Sequence, residues 1–326
     1  MEIKINRLSH TYSRGTRMEF TSLKDVSLNI KQGEFIGVIG QTGSGKSTLV
    51  EHLNALLLPT KGSIRWNFKN TRKSKSTNAV EKFNDEIELK ASWVENLSFK
   101  KGIKTQIFKQ KRLKKVKRAK EIRKKVAIAF QFAEYQLFEE TIEKDIMFGP
   151  LSFGVDKQEA KIRARKYLNL CGLDDSFLSK SPFSLSGGQK RRVALAGILA
   201  IEPDIIVADE PTAGLDPVGV QEILEIFTKL NALGKTIVIV THDLDNVLQV
   251  TNRVLLMKAG RVIKDGPTCD VLRDTDFLNK NFMQPPKILE FITKLQKRGL
   301  KVPNDIKNID ELANILNKKL EQKRGK

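Results

Sequence analysis

Nine residues, Gly40 to Thr48 (GQTGSGKST), satisfy the spacing GxxxxGK[ST] between an apolar run, FIGVI, and a helix-like run, STLVEHLNALL. Gly40, Gly43 and Gly45 leave the backbone free to wrap its N–H groups around a phosphate, with Gln41, Thr42 and Ser44 between them. The helix that follows adds the positive end of its dipole. Lys46 then reaches the β- and γ-phosphates, Ser47 closes the motif and can ligate Mg²⁺, and Thr48 follows as a further candidate ATP contact. A second apolar run, IIVADE, ends in Asp209 and Glu210. Beside a phosphate loop, the first carboxylate can hold the water shell of Mg²⁺ and the second can orient an attacking water. Ser186, Gly187, Gly188 and Gln189, within LSGGQ, open another helix and form a second phosphate-cradling element. One loop already serves the chain's own nucleotide, so two cradles imply two subunits.

The elements that must carry these residues alternate. Strand-like runs occur at Leu23 to Ile30, Glu34 to Ile39, Val126 to Phe130, Ile205 to Ala208 and Thr236 to Val240, several of them continuous in Ile and Val as in strands buried on both faces. Helical stretches are expected at Lys46 to Leu57, Lys157 to Cys171, Gln189 to Ala200 and Gln221 to Leu233. This order predicts α/β with a mainly parallel sheet. Residues 150–185 are expected to form a helical lobe outside it. A hairpin is expected at Val254 to Lys264, and the chain from Pro267 onward reads as a separate, small, helix-rich tail.

Composition narrows the function classes. At 326 residues and 40% hydrophobic content the chain can bury a sizeable core. No apolar run approaches the roughly 18 residues that cross a bilayer, and the start lacks a signal peptide's apolar stretch, which predicts a cytoplasmic protein. Cys171 and Cys269 can build neither a disulfide framework nor a four-thiolate zinc site. His10 and His52 are expected to be structural or exposed. The net charge is +20, and residues 67–125 hold 20 Lys or Arg against 6 Asp or Glu, a net of +14. That stretch reads as an insertion spliced into an exposed loop, with helix and strand signals stopping at Arg65 and resuming at Val126. Two readings of it stand: a solvated Lys-rich excursion, or adhesion to anionic lipid. Leu113, Val116, Ile122 and Val126 give it only a partial apolar stripe.

The set GQTGSGKST, LSGGQ, VADEPTAGLDP and VTHD, in this order, resembles the nucleotide-binding subunits of ATP-binding cassette transporters over roughly residues 1–265. The resemblance implies a P-loop NTPase of the ATP-binding cassette type, with the parallel core sheet, an antiparallel β subdomain, a helical subdomain and a small C-terminal helical region. It implies ATP and Mg²⁺ as cofactors. By resemblance, Ser186, Gly187, Gly188 and Gln189 face the nucleotide of a partner subunit, Gln131 touches Mg²⁺ and senses the γ-phosphate, and His242 holds the γ-phosphate and Glu210 in register. Ser47 and Asp209 complete the metal set, Asp216 lies in the loop joining the two sites, and Tyr12 stacks on adenine. The bland alternative for Tyr12 is a packed strand residue.

A closer resemblance lies in FQFAEYQLFEETIEKDIMF and SGGQKRRVALAGILAIEPD, which look like the ATPase subunits of energy-coupling factor importers of vitamins and metal ions, particularly the second of their two paired types. It implies a second ATPase subunit, a transmembrane coupling subunit and a substrate-binding membrane protein as partners. It also implies a peripheral place on the cytoplasmic face of the membrane and a dimerisation role for residues 266–326. Docking of the membrane partner is expected around Tyr135 to Glu140, with Leu137 and Phe138 apolar and Glu139 and Glu140 charged contacts. Ala133 and Ala208 depart from that subfamily's usual residues without removing a catalytic group. The alternatives are the ATPase of a conventional cassette transporter and a nucleic-acid-associated cassette protein. A single motif set, and a short interval from Lys46 to Leu185, speak against nucleic acid.

Overall fold

The structure, a computed structural model, describes residues 1–73, 80–91, 93–100, 103–110, 118–303 and 306–324. Two antiparallel strands, β1 (Glu2–Tyr12) and β2 (Phe20–Ile30), precede β3 (Phe35–Ile39), whose five residues are all buried. The phosphate loop follows and enters α1 (Lys46–Leu53). This helix stops four residues short of the expected Leu57, because Ala55 turns left-handed at φ 58° and the amides of Leu56 and Leu57 fold back onto the Glu51 carbonyl.

Strands β4 (Lys61–Lys73) and β5 (Val80–Lys90) complete a four-stranded antiparallel sheet in the order β2-β1-β4-β5. The expectation of an insertion spliced into an exposed loop is therefore corrected at its base. Ile64, Trp66, Phe68, Ile87 and Leu89 are buried at alternate positions, and the register sets Trp66 opposite Ile87 and Ile64 opposite Leu89. Burial on one face overrides the polar composition. The Trp66 indole N–H donates to the Leu53 carbonyl at 2.7 Å, fastening the sheet to α1. A second hairpin, β6 (Trp93–Lys100) with β7 (Ile103–Gln110), forms its own two-stranded sheet, and α2 (Ala119–Lys125) leads back to the core. At its foot Arg118 donates to both Asp85 and Glu121, holding the Asp85 carboxyl down at about 2. Leu113 and Val116 of the expected stripe lie outside the described residues, whereas Ile122 and Val126 are core.

Strand β8 (Val126–Ala129) is followed by three mutually packed helices, α3 (Ile142–Ser152), α4 (Lys157–Leu170) and α5 (Gly187–Ala200). The helical lobe thus begins at the Thr141 cap and runs to α5, wider than the expected 150–185. The alternation then resumes with β9 (Ile205–Asp209), α6 (Pro217–Ala232), β10 (Thr236–Val240) and α7 (Leu244–Val250), and the hairpin β11 (Arg253–Lys258) and β12 (Arg261–Pro267) closes it. The core sheet has the order β12-β11-β3-β10-β9-β8, parallel except at the β12 edge.

Four helices follow: α8 (Thr268–Arg273), α9 (Thr275–Lys280), α10 (Lys287–Lys297) and α11 (Ile309–Arg324). They are not a detached tail. Val271, Leu272, Leu278, Leu289, Ile292 and Leu312 share one apolar cluster with Leu244, Val247, Leu248 and Leu256. Among the described residues no helix is long and apolar enough to cross a membrane. Cys171 is buried, which pushes its thiol up to about 12, and both cysteines are free.

Candidate active site

Parallel pairing brings the chemistry to one edge. Ile237 lies opposite Phe35, Val240 opposite Asp209 and Ala129 opposite Ala208, so β3, β10, β9 and β8 all end together. The loop from Gly40, the carboxylates Asp209 and Glu210, the pair Thr241 and His242, and Gln131 leave the sheet side by side, where ligands bind in open α/β folds. A cleft of about 510 Å³ opens there, lined by Tyr12, Phe20, Ser22, Thr42, Gly43, Gly45, Lys46, Ser47, Thr48, Gln131, Asp209, Glu210 and His242.

Of the nine loop residues, Gly40, Gln41 and Ser44 do not line this cleft. Gly40 lies against the neighbouring strand: a Cβ there would meet the Met257 carbonyl at 2.3 Å, with φ at +146°. The carbonyls of Gly40 and Gln41 accept from Lys46 Nζ at 2.7 and 2.9 Å. Burial pushes the Lys46 ammonium down, and Glu210 and Asp209 push it back up. Ser44 Oγ is buried without a hydrogen-bond partner among the described residues. By contrast, a Cβ on Gly43 would meet nothing within 4 Å, and its φ of +77° opens the loop to the cleft. That empty cradle, with its positive helix end, fits a polyphosphate.

Ser47 Oγ donates to Asp209 Oδ2 at 3.0 Å. Burial pushes the Asp209 carboxyl up, Ser47 and Lys46 pull it down, and Glu210 raises it again. A half-buried carboxylate beside a second one is a place where a cation is favoured, and both donors are the hard oxygens that Mg²⁺ takes. Glu210 is held three ways: Thr241 Oγ1 donates to Oε2 at 3.0 Å, while the His242 amide and Nδ1 donate to Oε1 at 3.1 and 2.8 Å. Its backbone sits at φ +47°, a left-handed conformation that a glutamate adopts at a cost of about 1 kcal/mol or more. Strain of this kind collects at functional positions.

The residues of LSGGQ lie away from this cleft. Ser186 caps α5 in a capping box with Gln189, each side chain bonded to the other's amide at 3.4 and 3.1 Å. Gly187 has open space where a Cβ would stand, and Gly188 meets only Leu215 at 4.0 Å. Neither needs to be glycine for its own chain's packing. Asp216 likewise lies outside the cleft and caps α6, accepting from the Gly219 amide at 2.7 Å.

The sequence reading missed Arg191, on the buried face of α5. Its Nε and Nη2 donate to the two Glu134 oxygens at 3.0 and 2.7 Å, and Nη1 donates to the carbonyls of Pro211 and Ala213 at 3.2 and 2.6 Å. One guanidinium thus joins the LSGGQ helix, the turn after Gln131 and the loop after Glu210. Helical spacing could have found it, since Arg191 shares a face with the buried Ala194 and Leu195.

Residues 23–213 match the family model described as ABC transporter. The chain is 50% identical over 317 residues to the energy-coupling factor transporter ATP-binding protein EcfA2 of Mycoplasmopsis pulmonis, covering 97% of this chain and 96% of the relative. It is 48% identical to the protein of the same name from Mycoplasmopsis synoviae, over 100% and 98%. The chain belongs to the EcfA2 family of energy-coupling factor transporter ATP-binding proteins. Among solved structures it is similar to cbiO1 from Clostridium perfringens, part of the ABC transporter complex cbiONQ, at 31% identity and a TM-score of 0.63 over 89% of this chain and 98% of that one. A dimeric ATP-binding cassette in a post-hydrolysis state with ADP and Pi matches at 30% identity and a TM-score of 0.59, over 82% and 98%. The fold is accordingly the P-loop NTPase of ATP-binding cassette type, and the protein is an ATP-binding ATPase subunit of an energy-coupling factor transporter rather than of a conventional cassette system.

The two remaining histidines are buried rather than exposed. Burial lowers the His52 imidazole to about 4 and lowers His10 as well. The unfolded chain, with histidine near 6.5, therefore binds more protons between the two values, and stability falls as pH drops through that window. His52 alone is expected to remove about 2 kcal/mol by pH 5. Urea unfolding at pH 7 and pH 5 of the wild type and His52→Leu checks this: the variant should lose that much less on acidification, and equal losses would refute it.

Proposed function

We propose that this chain is one half of a two-ATPase motor on the cytoplasmic face of the membrane, powering uptake of a vitamin or metal ion through a transmembrane coupling subunit and a substrate-binding membrane protein. The observation that carries it is the division of parts. The chain's own cleft gathers the phosphate loop, two carboxylates, Gln131 and His242, while Gly187 and Gly188 stand open elsewhere for a phosphate bound by a partner. Lys46 moves from the loop carbonyls to the β- and γ-phosphates. Ser47, Asp209 and Gln131 would hold Mg²⁺, which when bound neutralises charge developing on the phosphates. Glu210, steered by Thr241 and His242, takes the proton of the attacking water. Tyr12 supports adenine, Asp216 meets the partner's site, and residues 266–326 contribute to dimerisation.

The docking surface for the membrane subunit lies beside Gln131, with Phe138 of the expected side chains but not with all of them. Leu137 packs into the core, and Glu140 is paired with Lys144 at 2.6 Å. The exposed aromatics there are Phe132, Tyr135, Phe138 and Phe148, with Phe138 and Phe148 edge to face at 4.9 Å. Exposed aromatic side chains following the γ-phosphate sensor suit a partner helix that must move when the site closes. The test is copurification from membranes. Wild type should retain integral membrane subunits and a second ATPase, and Tyr135→Asp/Phe138→Asp should lose the membrane subunits while binding ATP normally. Unchanged assembly and uptake in that variant would refute this surface.

A further inference from the structure

Two buried histidines have no part in the phosphate chemistry, yet they stand in line with Tyr12. The Tyr12 and His10 rings meet edge to face at a centroid distance of 4.5 Å, and His10 meets His52 in the same way at 4.8 Å. Each imidazole is fixed by one ring nitrogen. His10 Nδ1 donates to the Leu58 carbonyl at 3.0 Å and His52 Nδ1 to the Thr48 carbonyl at 2.6 Å. Because carbonyls only accept, both rings carry their hydrogen on Nδ1. His52 Nε2 is then left buried with no hydrogen-bond partner among the described residues. A leucine would avoid that cost. What an aliphatic side chain could not supply is the flat ring against which His10, and through it Tyr12, is set.

The stack leads back to the helix that carries the phosphate loop. His52 lies in the last turn of α1, and Thr48 lies in its first. Thr48 Oγ1 is 3.2 Å from the Tyr12 hydroxyl and 2.8 Å from Ser22 Oγ. Tyr12 is thereby gripped at two points by one helix: its hydroxyl by Thr48, its ring edge by His52 through His10. With its ring part-exposed in the cleft, it presents a face whose orientation is set by these grips.

We propose that His10 and His52 are positioning residues for the nucleobase, forming with Tyr12 an aromatic stack that locks the adenine platform to the phosphate-binding helix. The proposal rests on the reading of Tyr12 as that platform. A base leaning on Tyr12 is then aligned with the phosphates by the same rigid body, and loosening the stack disturbs the base without disturbing the loop.

Binding of MgATP and of magnesium tripolyphosphate, which lacks base and ribose, separates this role from a general structural one. Tyr12→Ala should weaken ATP roughly tenfold and leave tripolyphosphate unchanged, since base–aromatic stacking is lost. His10→Ala should do the same about three- to tenfold, the worth of an aromatic pair. His10→Phe, which keeps a ring between Tyr12 and His52, should restore most of the ATP affinity. If His10→Ala does not fold, His10→Leu is read in the same way, because it keeps the volume without the ring. A selective loss with Tyr12→Ala but none with His10→Ala, or equal loss of both ligands with His10→Ala, overturns the proposal alone. A Tyr12→Ala variant without selectivity overturns the platform reading and the proposal with it.

Discussion

Glu210→Gln protein is expected to bind MgATP with near wild-type affinity and to hydrolyse it at least about 10²-fold more slowly, the lower end of what a positioned general base contributes. The amide keeps the shape and can still accept from the His242 N–H groups that hold Oε1 at 3.1 and 2.8 Å. It cannot take a proton from water. Lys46→Ala gives the opposite pattern, since a charge-assisted contact to phosphate is worth about 1.5–3 kcal/mol and its loss falls on binding. Single-turnover hydrolysis beside equilibrium nucleotide binding separates the two. Hydrolysis by Glu210→Gln within a few-fold of wild type would end the assignment of Glu210 as base and leave Asp209 as the candidate.

The strands that end at this site were legible in the sequence because their signals are local. Thr236–Val240 was read to the residue, and FIGVI and IIVAD within one residue of their observed ends, since continuous β-branched runs admit little else. The insertion's base was misread for a physical reason. Alternation at Ile64, Trp66 and Phe68 continues past Arg65, but Arg65, Asn67 and Lys69, which point the other way, dominate any average over the window. Helix α3 is not among the expected helical stretches, and it carries Gly149 and Pro150, residues that commonly end a helix. In the fold Pro150 sits in the last turns, and Gly149 leaves room for Ile201, where an added Cβ would meet its side chain at 2.9 Å. Of the site, the loop and carboxylates were legible from motif spacing. The cross-links were not: the grip of Thr241 on Glu210 and the stack on Tyr12 depend on which strands neighbour each other, which no single segment encodes.

Arg191→Met is the substitution expected to cost most in stability. The wild-type side chain is 6% exposed and makes a two-pronged ion pair with Glu134 while satisfying the carbonyls of Pro211 and Ala213. It also lies over the Phe132 ring, 5.6 Å from its centroid. Methionine fills much of the volume, so the loss is not mainly one of packing. What remains is a nearly buried carboxylate with its partner gone, together with two carbonyls that have lost their donor, a situation that costs about 3–5 kcal/mol. If that is the mechanism, removing the stranded charge must recover part of the loss. Arg191→Met/Glu134→Gln should be more stable than Arg191→Met alone by at least about 1 kcal/mol, although it has lost both members of the pair. Denaturant midpoints of wild type, both single variants and the double variant give this cycle directly. A double variant less stable than Arg191→Met would mean that Glu134 is satisfied without the guanidinium, and the link between the LSGGQ helix, the turn after Gln131 and the loop after Glu210 would then have to run through packing rather than through this charge.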